Sequence, residues 1–428
     1  MIPKSGNRFS DKIMRKNITM EKQTMRRWVV AGLALLALLP AMTSAQTQSG
    51  ATCHNGASFE RWLEDFKRQA ATQGISQRTL AAAAPLMKYD QTIVNKDRGG
   101  AVFSQTFLEF SDRMIAKYRV ASGTQKLQKQ KDMFQRIEQQ FGVPGPVLVA
   151  FWGLETDFGA GIGSLPTITT VTTLAYDCRR TELFQNQLLA ALKIIERGDL
   201  TPQQMVGPHA GELGQMQFLP THYVDYGVDF DGDGRRDLLR SSPDALASAA
   251  NYLSKVGWQR GQPWLEEVRV PAQMPWDQAD LSILLPRSQW AKWGVTYADG
   301  RALPNDGSKA SLLLPMGRHG PAFLAYPNFR MFTEWNQSLV YSTTAAYFAM
   351  RLAGAPPIHR GSGTVAPFAM AQIRELQGLL ARRGHDVGKI DGFLGAKSRA
   401  AVKAEQIKLG LPADSYPTPD LVERLRGR

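Results

Sequence analysis

One carboxylate stands out by its surroundings. Glu155 lies in FWGLETDFG, residues 151–159, behind a run of apolar and aromatic residues and just ahead of Gly159 and Gly161. A carboxyl packed against aromatic rings is poorly solvated when ionised, so its pKa rises and it can stay protonated near neutral pH. Protonation of a glycosidic oxygen demands such a group. Spacing alone equally allows a helix-terminal Glu paired with an arginine.

Three further segments carry candidate chemistry. GPHAGELGQMQFLPTHY, residues 207–223, is dense in glycine and in amides and hydroxyls: Gln215, Gln217, Thr221, His222 and Tyr223. Such groups beside aromatic faces bind sugars, although a plain polar turn before a helix has the same composition. VDFDGDGRRDLLR, residues 228–240, sets carboxylates at Asp229, Asp231 and Asp233, then Gly234, a carbonyl at Arg235 and a carboxylate at Asp237. These match the first nine positions of an EF-hand calcium loop. Arg240 stands where the bidentate Glu belongs; Asp244 could supply the missing oxygens, and a solvated acidic turn is the alternative. Arg179 and Arg180 could grip a peptide carboxylate by bidentate pairing or be ordinary surface charges. The sequence has no zinc-ligand cluster, phosphate loop or nucleophilic Ser elbow. Its six histidines are scattered, and His209 and His222 read as hydrogen-bonding residues.

The elements that must position these groups are mostly helical. Apolar residues recur at three and four spacing in Phe59, Trp62, Leu63 and Phe66, and in Phe103, Phe107, Phe110 and Met114, which predicts amphipathic helices. Residues 145–156 open with Pro146 in the first turn and run through Val147, Leu148, Val149, Phe151 and Trp152, a buried helix that ends near Glu155. Further helices are predicted over residues 182–197, 243–256 and 337–352. Residues 265–330 change character. Short apolar runs at 268–270, 281–285 and 312–314 among Pro and Gly predict a small β-containing insertion.

The chain has 428 residues, 43% of them hydrophobic, which implies a large unit and at least one smaller module. Arg26 and Arg27 precede a 12-residue apolar run over residues 28–39, then Pro40 and the small residues Thr43, Ser44 and Ala45. That is a secretory signal pattern, too short for a membrane anchor, which needs about 20 apolar residues. Cleavage after Ala45 would remove eight basic and two acidic side chains and lower the formal net charge from +13 to +7. A moderately basic exported protein suits a polyanionic partner such as a cell wall; export argues against nucleic acid. Cys53 and Cys178 are the only cysteines, and an oxidising compartment favours a disulfide between them. Residues 354–367, with Pro356, Pro357, Gly361, Ser362 and Gly363, have a linker composition that resists packing. Residues 368–428 then suffice for a small three-helix module: Ile373, Leu376, Leu379 and Leu380 share one helix face, and Ala400, Ala401, Val402 and Ala404 mark another helix.

Taken together and in this order, WGLET-x-FG, AGELGQMQFLP, DFDGDG and NYL-x-K-x-GW (residues 251–258) resemble the lytic murein transglycosylase B family, glycoside hydrolase family 103, over roughly residues 55–353. Residues 376–415 are similar to the peptidoglycan-binding domain type 1, with the DGFLG turn at 391–395 carrying the likeness. The resemblance implies a mainly α architecture: a lysozyme-like helical catalytic domain over residues 46–353 with a small β-containing insertion, the linker, and a peptidoglycan-binding module over 368–428. It places the catalytic acid on Glu155 and glycan contacts on Gln217, Asn336 (after Trp335) and Tyr341, with Tyr223 as a further candidate. Stem-peptide contacts fall on Arg179 and Arg180, and the EF-hand-like site on Asp229, Asp231, Asp233, Arg235 and Asp237. Three positions depart from the family pattern. Pro208 replaces a Ser whose hydroxyl would face the acid, Glu212 replaces an Ala, and Glu405 replaces a Phe in the module.

Ordinary glycosidases flank the scissile bond with two carboxylates. Only one convincing carboxylate emerges here, and the resemblance implies why: a lytic transglycosylase uses the substrate's own C6 hydroxyl as nucleophile. Glu155 would first protonate the bond between N-acetylmuramic acid and N-acetylglucosamine, then deprotonate that hydroxyl, leaving a 1,6-anhydromuramoyl end. The chemistry requires no cofactor, and a structural calcium ion could be bound. Expected partners are peptidoglycan strands and stem peptides, with cell-wall synthesis or divisome proteins as possible recruits, in the periplasm. The alternatives are a hydrolytic muramidase, with Asp157 or Glu212 activating water, and a non-catalytic wall-binding protein.

Overall fold

The computed structural model describes His54 and residues 56–99, 105–363, 365 and 367–427. The leader expected at residues 1–45 and Cys53, the partner expected for Cys178, lie outside the described residues. The chain divides into two compact units, one holding the described residues up to 99 together with Gly159–Ser248, the other residues 105–158 together with the described residues from Ala249 onward.

In the first unit, the amphipathic helix Phe59–Thr72 buries Trp62, Leu63, Phe66 and Ala70, as its spacing predicts. Ser58 caps it by accepting from the Arg61 N–H. The helices Thr167–Tyr176 and Thr181–Glu196 form this unit's centre, the former with every residue from Thr167 to Ala175 buried. A two-stranded antiparallel ribbon pairs Leu165–Pro166 with Val206–Gly207.

The second unit is built on the helix Gly145–Thr156, which has the bounds expected. Every residue in it except Pro146 and Glu155 is buried, so its apolar character runs all round. Leu339–Leu352 packs against it. Gly153 permits the approach, since a Cβ there would stand 2.9 Å from the Phe158 ring and 3.0 Å from the Phe348 ring. The Leu339–Leu352 helix starts two residues later than predicted: Ser338 serves as its N-cap, accepting from the Tyr341 N–H at 3.4 Å.

The insertion is a five-stranded antiparallel sheet in the order Leu285–Pro286, Lys309–Leu313, Ala322–Ala325, Leu265–Arg269, Thr296–Tyr297. Trp276, Trp290, Leu312 and Leu324 form its core. The apolar run at 281–285 becomes a strand only at its end. Asp280 accepts from the Ser282 N–H and hydroxyl, and this turn takes the chain out of extended geometry.

Three helices, Met370–Arg382, Ala396–Lys408 and Pro419–Arg426, close the chain around Leu376, Leu380, Val402 and Leu421. Glu405, the departure from Phe, is buried yet satisfied by His385 at 2.6 Å, Lys408 at 2.8 Å and Arg383 at 3.4 Å. The expectation that residues 354–367 resist packing needs correction. Its described residues form no helix or strand, but the Ile358 N–H donates to the Tyr347 hydroxyl, the His359 N–H to Glu267, and the Ser362 N–H to the His319 carbonyl. Arg360 also pairs with Asp112 at 3.0 Å. Backbone groups, which composition does not report, make these ties.

Candidate active site

Glu155 is half-buried at the last turn of its helix. Two donors converge on its Oε1: the Trp335 indole N–H at 2.8 Å and the Tyr341 hydroxyl at 2.5 Å. Trp335 ends the helix Phe329–Trp335 and stacks on Phe151, one turn before Glu155, with ring centroids 4.3 Å apart. Tyr252 meets the same indole edge-on at 5.7 Å. Burial, followed by the Glu155 charge and hydrogen bond, holds the Tyr341 phenol well above its ordinary pKa. It therefore stays a donor across the neutral range. An oxygen that accepts two hydrogen bonds has no room for a proton, so in the acid form the proton belongs on Oε2.

The helix behind Glu155 stops abruptly because Asp157 and Phe158 both lie in the left-handed region, at φ 51° and 63°. Two such residues cost about 1–2 kcal/mol each. The cost is offset by side chains from the preceding helices. Arg119 holds Asp157 at 3.1 Å, the Tyr118 hydroxyl donates to it at 3.3 Å, and Phe158 meets Trp152 edge-on while Lys126 lies over both rings. Asp157 is thus engaged as an anchor, which weakens its case as a water-activating base.

Of the glycan contacts expected in this unit, Tyr341 donates its hydroxyl to Glu155. The Asn336 Oδ1 accepts from the Ser338 N–H at 2.9 Å, which leaves its Nδ2 as the group able to face a ligand. Trp335, Phe151, Tyr118 and Arg119 were not assigned roles from the residues themselves. Only the position of Phe151 four residues before Glu155, on the same helix face, offered a signal.

In the first unit, Gln217 is buried at φ 50°, its Nε2 donating to the Gly214 and Ile162 carbonyls at 2.9 and 3.3 Å. Tyr223 is fully buried and donates to the Arg236 carbonyl, so it is a structural residue and no sugar contact. Burial raises its phenol pKa. Arg179 and Arg180 both pair with Asp97, whose side chain is 4% exposed; the Arg180 side chain is nearly buried and that of Arg179 is the more open of the two. Glu212 is 1% exposed.

The acidic loop folds on itself. Asp229 accepts from the Gly232 and Gly234 N–H groups, Asp231 from the Asp233 N–H and the Ser241 hydroxyl, and buried Asp244 from the N–H groups of Phe230, Asp231 and Asp237. Oxygens of Asp229, Asp231 and Asp244 lie within 4.8 Å of one another. Ligands of one calcium ion at 2.3–2.6 Å stand no more than about 5 Å apart, so these three carboxylates fit one. The set differs from the expected one. Asp233 pairs with Arg235 at 3.4 Å, and Asp237 caps the following turn through the Leu239 and Arg240 N–H groups.

Residues 58–350 match the family model described as "Transglycosylase SLT domain", and residues 370–425 match a peptidoglycan binding domain. The membrane-bound lytic murein transglycosylase B of Escherichia coli K12 is 30% identical over 239 residues, 55% of this chain; the chain spans 64% of that relative's length. The crystal structure of SltB3 from Pseudomonas aeruginosa, in complex with NAG-anhNAM-pentapeptide, is 41% identical with a TM-score of 0.80, over 87% of this chain and all of that one. Slt35 of Escherichia coli, solved in complex with calcium, is 26% identical with a TM-score of 0.57, over 68% of this chain and 92% of that one.

Proposed function

The chain belongs to the transglycosylase SLT domain family, and from that premise we propose that it is a lytic transglycosylase that cuts the bond between N-acetylmuramic acid and N-acetylglucosamine in peptidoglycan. The observation that carries this reading is the carboxylate of Glu155, held on one oxygen by Trp335 and Tyr341. Fixing Oε1 aims Oε2 and its proton at the glycosidic oxygen. Bond cleavage takes that proton to the leaving N-acetylglucosamine, and the substrate's N-acetyl group eases the charge growing at C1. Glu155, now a carboxylate, removes the proton from the C6 hydroxyl, and O6 closes on C1 as the 1,6-anhydro bond. The proton count is restored, and no water or second carboxylate enters. The engagement of Asp157 by Arg119 and the burial of Glu212 support this over hydrolysis.

Asn336 offers Nδ2 to the glycan; Gln217, Arg179 and Arg180 remain proposed contacts of the first unit with peptidoglycan and its stem peptides. The catalytic part spans residues 46–353 and the wall-binding module 368–428, a division that the two matched ranges support. We place the protein in the periplasm after export; no helix among the described residues is long and apolar enough to cross a membrane. Asp229, Asp231 and Asp244 would hold a calcium ion, which would neutralise three converging carboxylates and tie the loop to the helix Ser242–Val256. The Cys53–Cys178 disulfide is proposed on redox grounds.

Mass spectrometry of purified peptidoglycan after digestion tests the reaction. Anhydro ends, lighter by one water than reducing ends, are expected; reducing ends alone would replace this reading with a muramidase, and an undigested wall would leave a binding protein.

A further inference from the structure

The helix Lys117–Lys129 sets Arg119, Gly123 and Lys126 at spacings of four and three, which puts them on one face. Gly123 is buried there and Arg119 and Lys126 are half-buried, while Tyr118, Ala121 and Gln125 around them are exposed. A Cβ on Gly123 would stand 2.7 Å from Leu352 Cδ2 and 3.2 Å from Val149 Cγ1, so this face lies close against the helix that bears Glu155. Its two cations reach the end of that helix at different points. Arg119 Nε donates to Asp157 at 3.1 Å, and Lys126 Nζ lies 4.5 Å from the centre of the Trp152 ring and 5.4 Å from that of Phe158. The rest of the Arg119 guanidinium is also engaged: Nη1 donates to the Met114 carbonyl and Nη2 to the Tyr118 hydroxyl at 2.9 Å. A planar fork held at three points moves little.

The turn beyond Glu155 depends on such a grip. The Asp157 and Phe158 N–H groups both donate to the Trp152 carbonyl, a closure that requires the positive φ of both residues. Glycine takes that conformation freely, and neither position holds one. If the turn relaxes, the last helical turn, which contains Glu155, loses its terminal bonds. Trp335 and Tyr341 stand on other helices and would not follow the carboxyl as it shifts.

Resting on the transglycosylase reading, we propose that the face Arg119–Gly123–Lys126 is a positioning clamp for the catalytic acid. It holds the 157–158 turn, and through that turn keeps the Glu155 carboxyl against Trp335 and Tyr341. Arg119 therefore sets the turnover rate through Asp157, as a positioning residue.

Steady-state kinetics of the full chain on purified peptidoglycan, counting every new glycan end whether anhydro or reducing, test this. Arg119→Gln and Asp157→Asn should each lower kcat about tenfold, part of the roughly hundredfold loss that a 1 Å misplacement produces, with KM nearly unchanged. The double variant should fall no further than either single one, because both act through one contact. Asp157→Gly suits the positive φ and so keeps the fold, yet it lacks the carboxylate and should show the same loss. An unchanged kcat in Arg119→Gln and Asp157→Gly, or losses that multiply in the double variant, overturns the clamp. Amide hydrogen exchange gives a readout without turnover. Exchange across residues 155–158 should quicken about tenfold in Arg119→Gln, and equal protection overturns the proposal. Reducing ends alone, or no new ends, from the wild type would overturn the transglycosylase reading by itself, and the exchange comparison still decides the clamp.

Discussion

Every group that holds Asp229, Asp231 and Asp244 comes from within the same short stretch of chain, whereas Glu155 is held by Trp335 and Tyr341, 180 and 186 positions away. In the loop, backbone N–H groups do most of the work, and a turn of the right spacing brings them round without help from the rest of the fold. At Glu155 the donors are side chains, and they meet the carboxylate only if Phe329–Trp335, Leu339–Leu352 and Gly145–Thr156 all pack in register. The loop is therefore a local device for stability, and the carboxylate cluster a non-local device for placing one oxygen. The difference predicts that damage to the cluster appears in the rate, and damage to the loop in the melting curve.

The sharpest division comes from Glu155→Gln. It keeps the shape and removes the proton, so anhydro-end formation should fall by about 10³-fold, within the range for loss of a general acid–base, with the thermal transition almost unmoved. Lytic activity surviving this change would break the assignment. Tyr341→Phe removes one donor to Oε1 and no ring, and should lower kcat about 10- to 100-fold, the span of a hydrogen bond to a charged group; KM should change little. A KM increase with constant kcat would instead make Tyr341 a sugar contact.

On the other side of the comparison, calcium should raise the melting temperature by a few degrees when present at about a hundredfold over its Kd, where linkage supplies about 2.7 kcal/mol. Asp244→Asn should abolish that shift and leave kcat near the wild-type value. The pH dependence has a definite sign. Burial raises the Asp244 pKa, so without calcium the folded state binds this proton more tightly than the unfolded chain does. Its stabilising effect is complete below the ordinary aspartate range near 3.8 and is lost as pH climbs through the raised value. Calcium needs the ionised form, so the metal-induced gain should grow over the same window, as melting curves with and without chelator would record. The smallest effect should be that of Ser241→Ala, which removes one donor to Asp231 and should cost about 1 kcal/mol in the metal-free protein.

Both regions left marks in the sequence, of different depth. The acidic loop could be read because its carboxylates recur at a spacing of two with a glycine where the turn needs one, and even Asp244 was within reach as a substitute ligand. The helix Gly145–Thr156 was equally open, since an unbroken apolar run behind Pro146 has few other structures to adopt. Tyr223 was misread because a tyrosine in a polar segment gives no sign of being fully buried. Nothing in the residues around Asn336 signals that its Oδ1 accepts from the Ser338 N–H. The segment at 354–367 has the composition of a tether, and only tertiary structure reveals that its backbone is tied to Tyr347, Glu267 and His319.

By itself the sequence singled out Glu155 by its apolar surroundings, and determined where the main helices and the acidic turn would form and that a small module follows. These depend on side-chain periodicity and backbone bonding over a few residues, which local order carries. The tertiary structure alone decided that Trp335 and Tyr341 both donate to one oxygen of Glu155 and that Asp157 is bound to Arg119. Those facts depend on where side chains distant in the chain come to rest when helices close on a common core, and no short stretch of sequence contains that geometry.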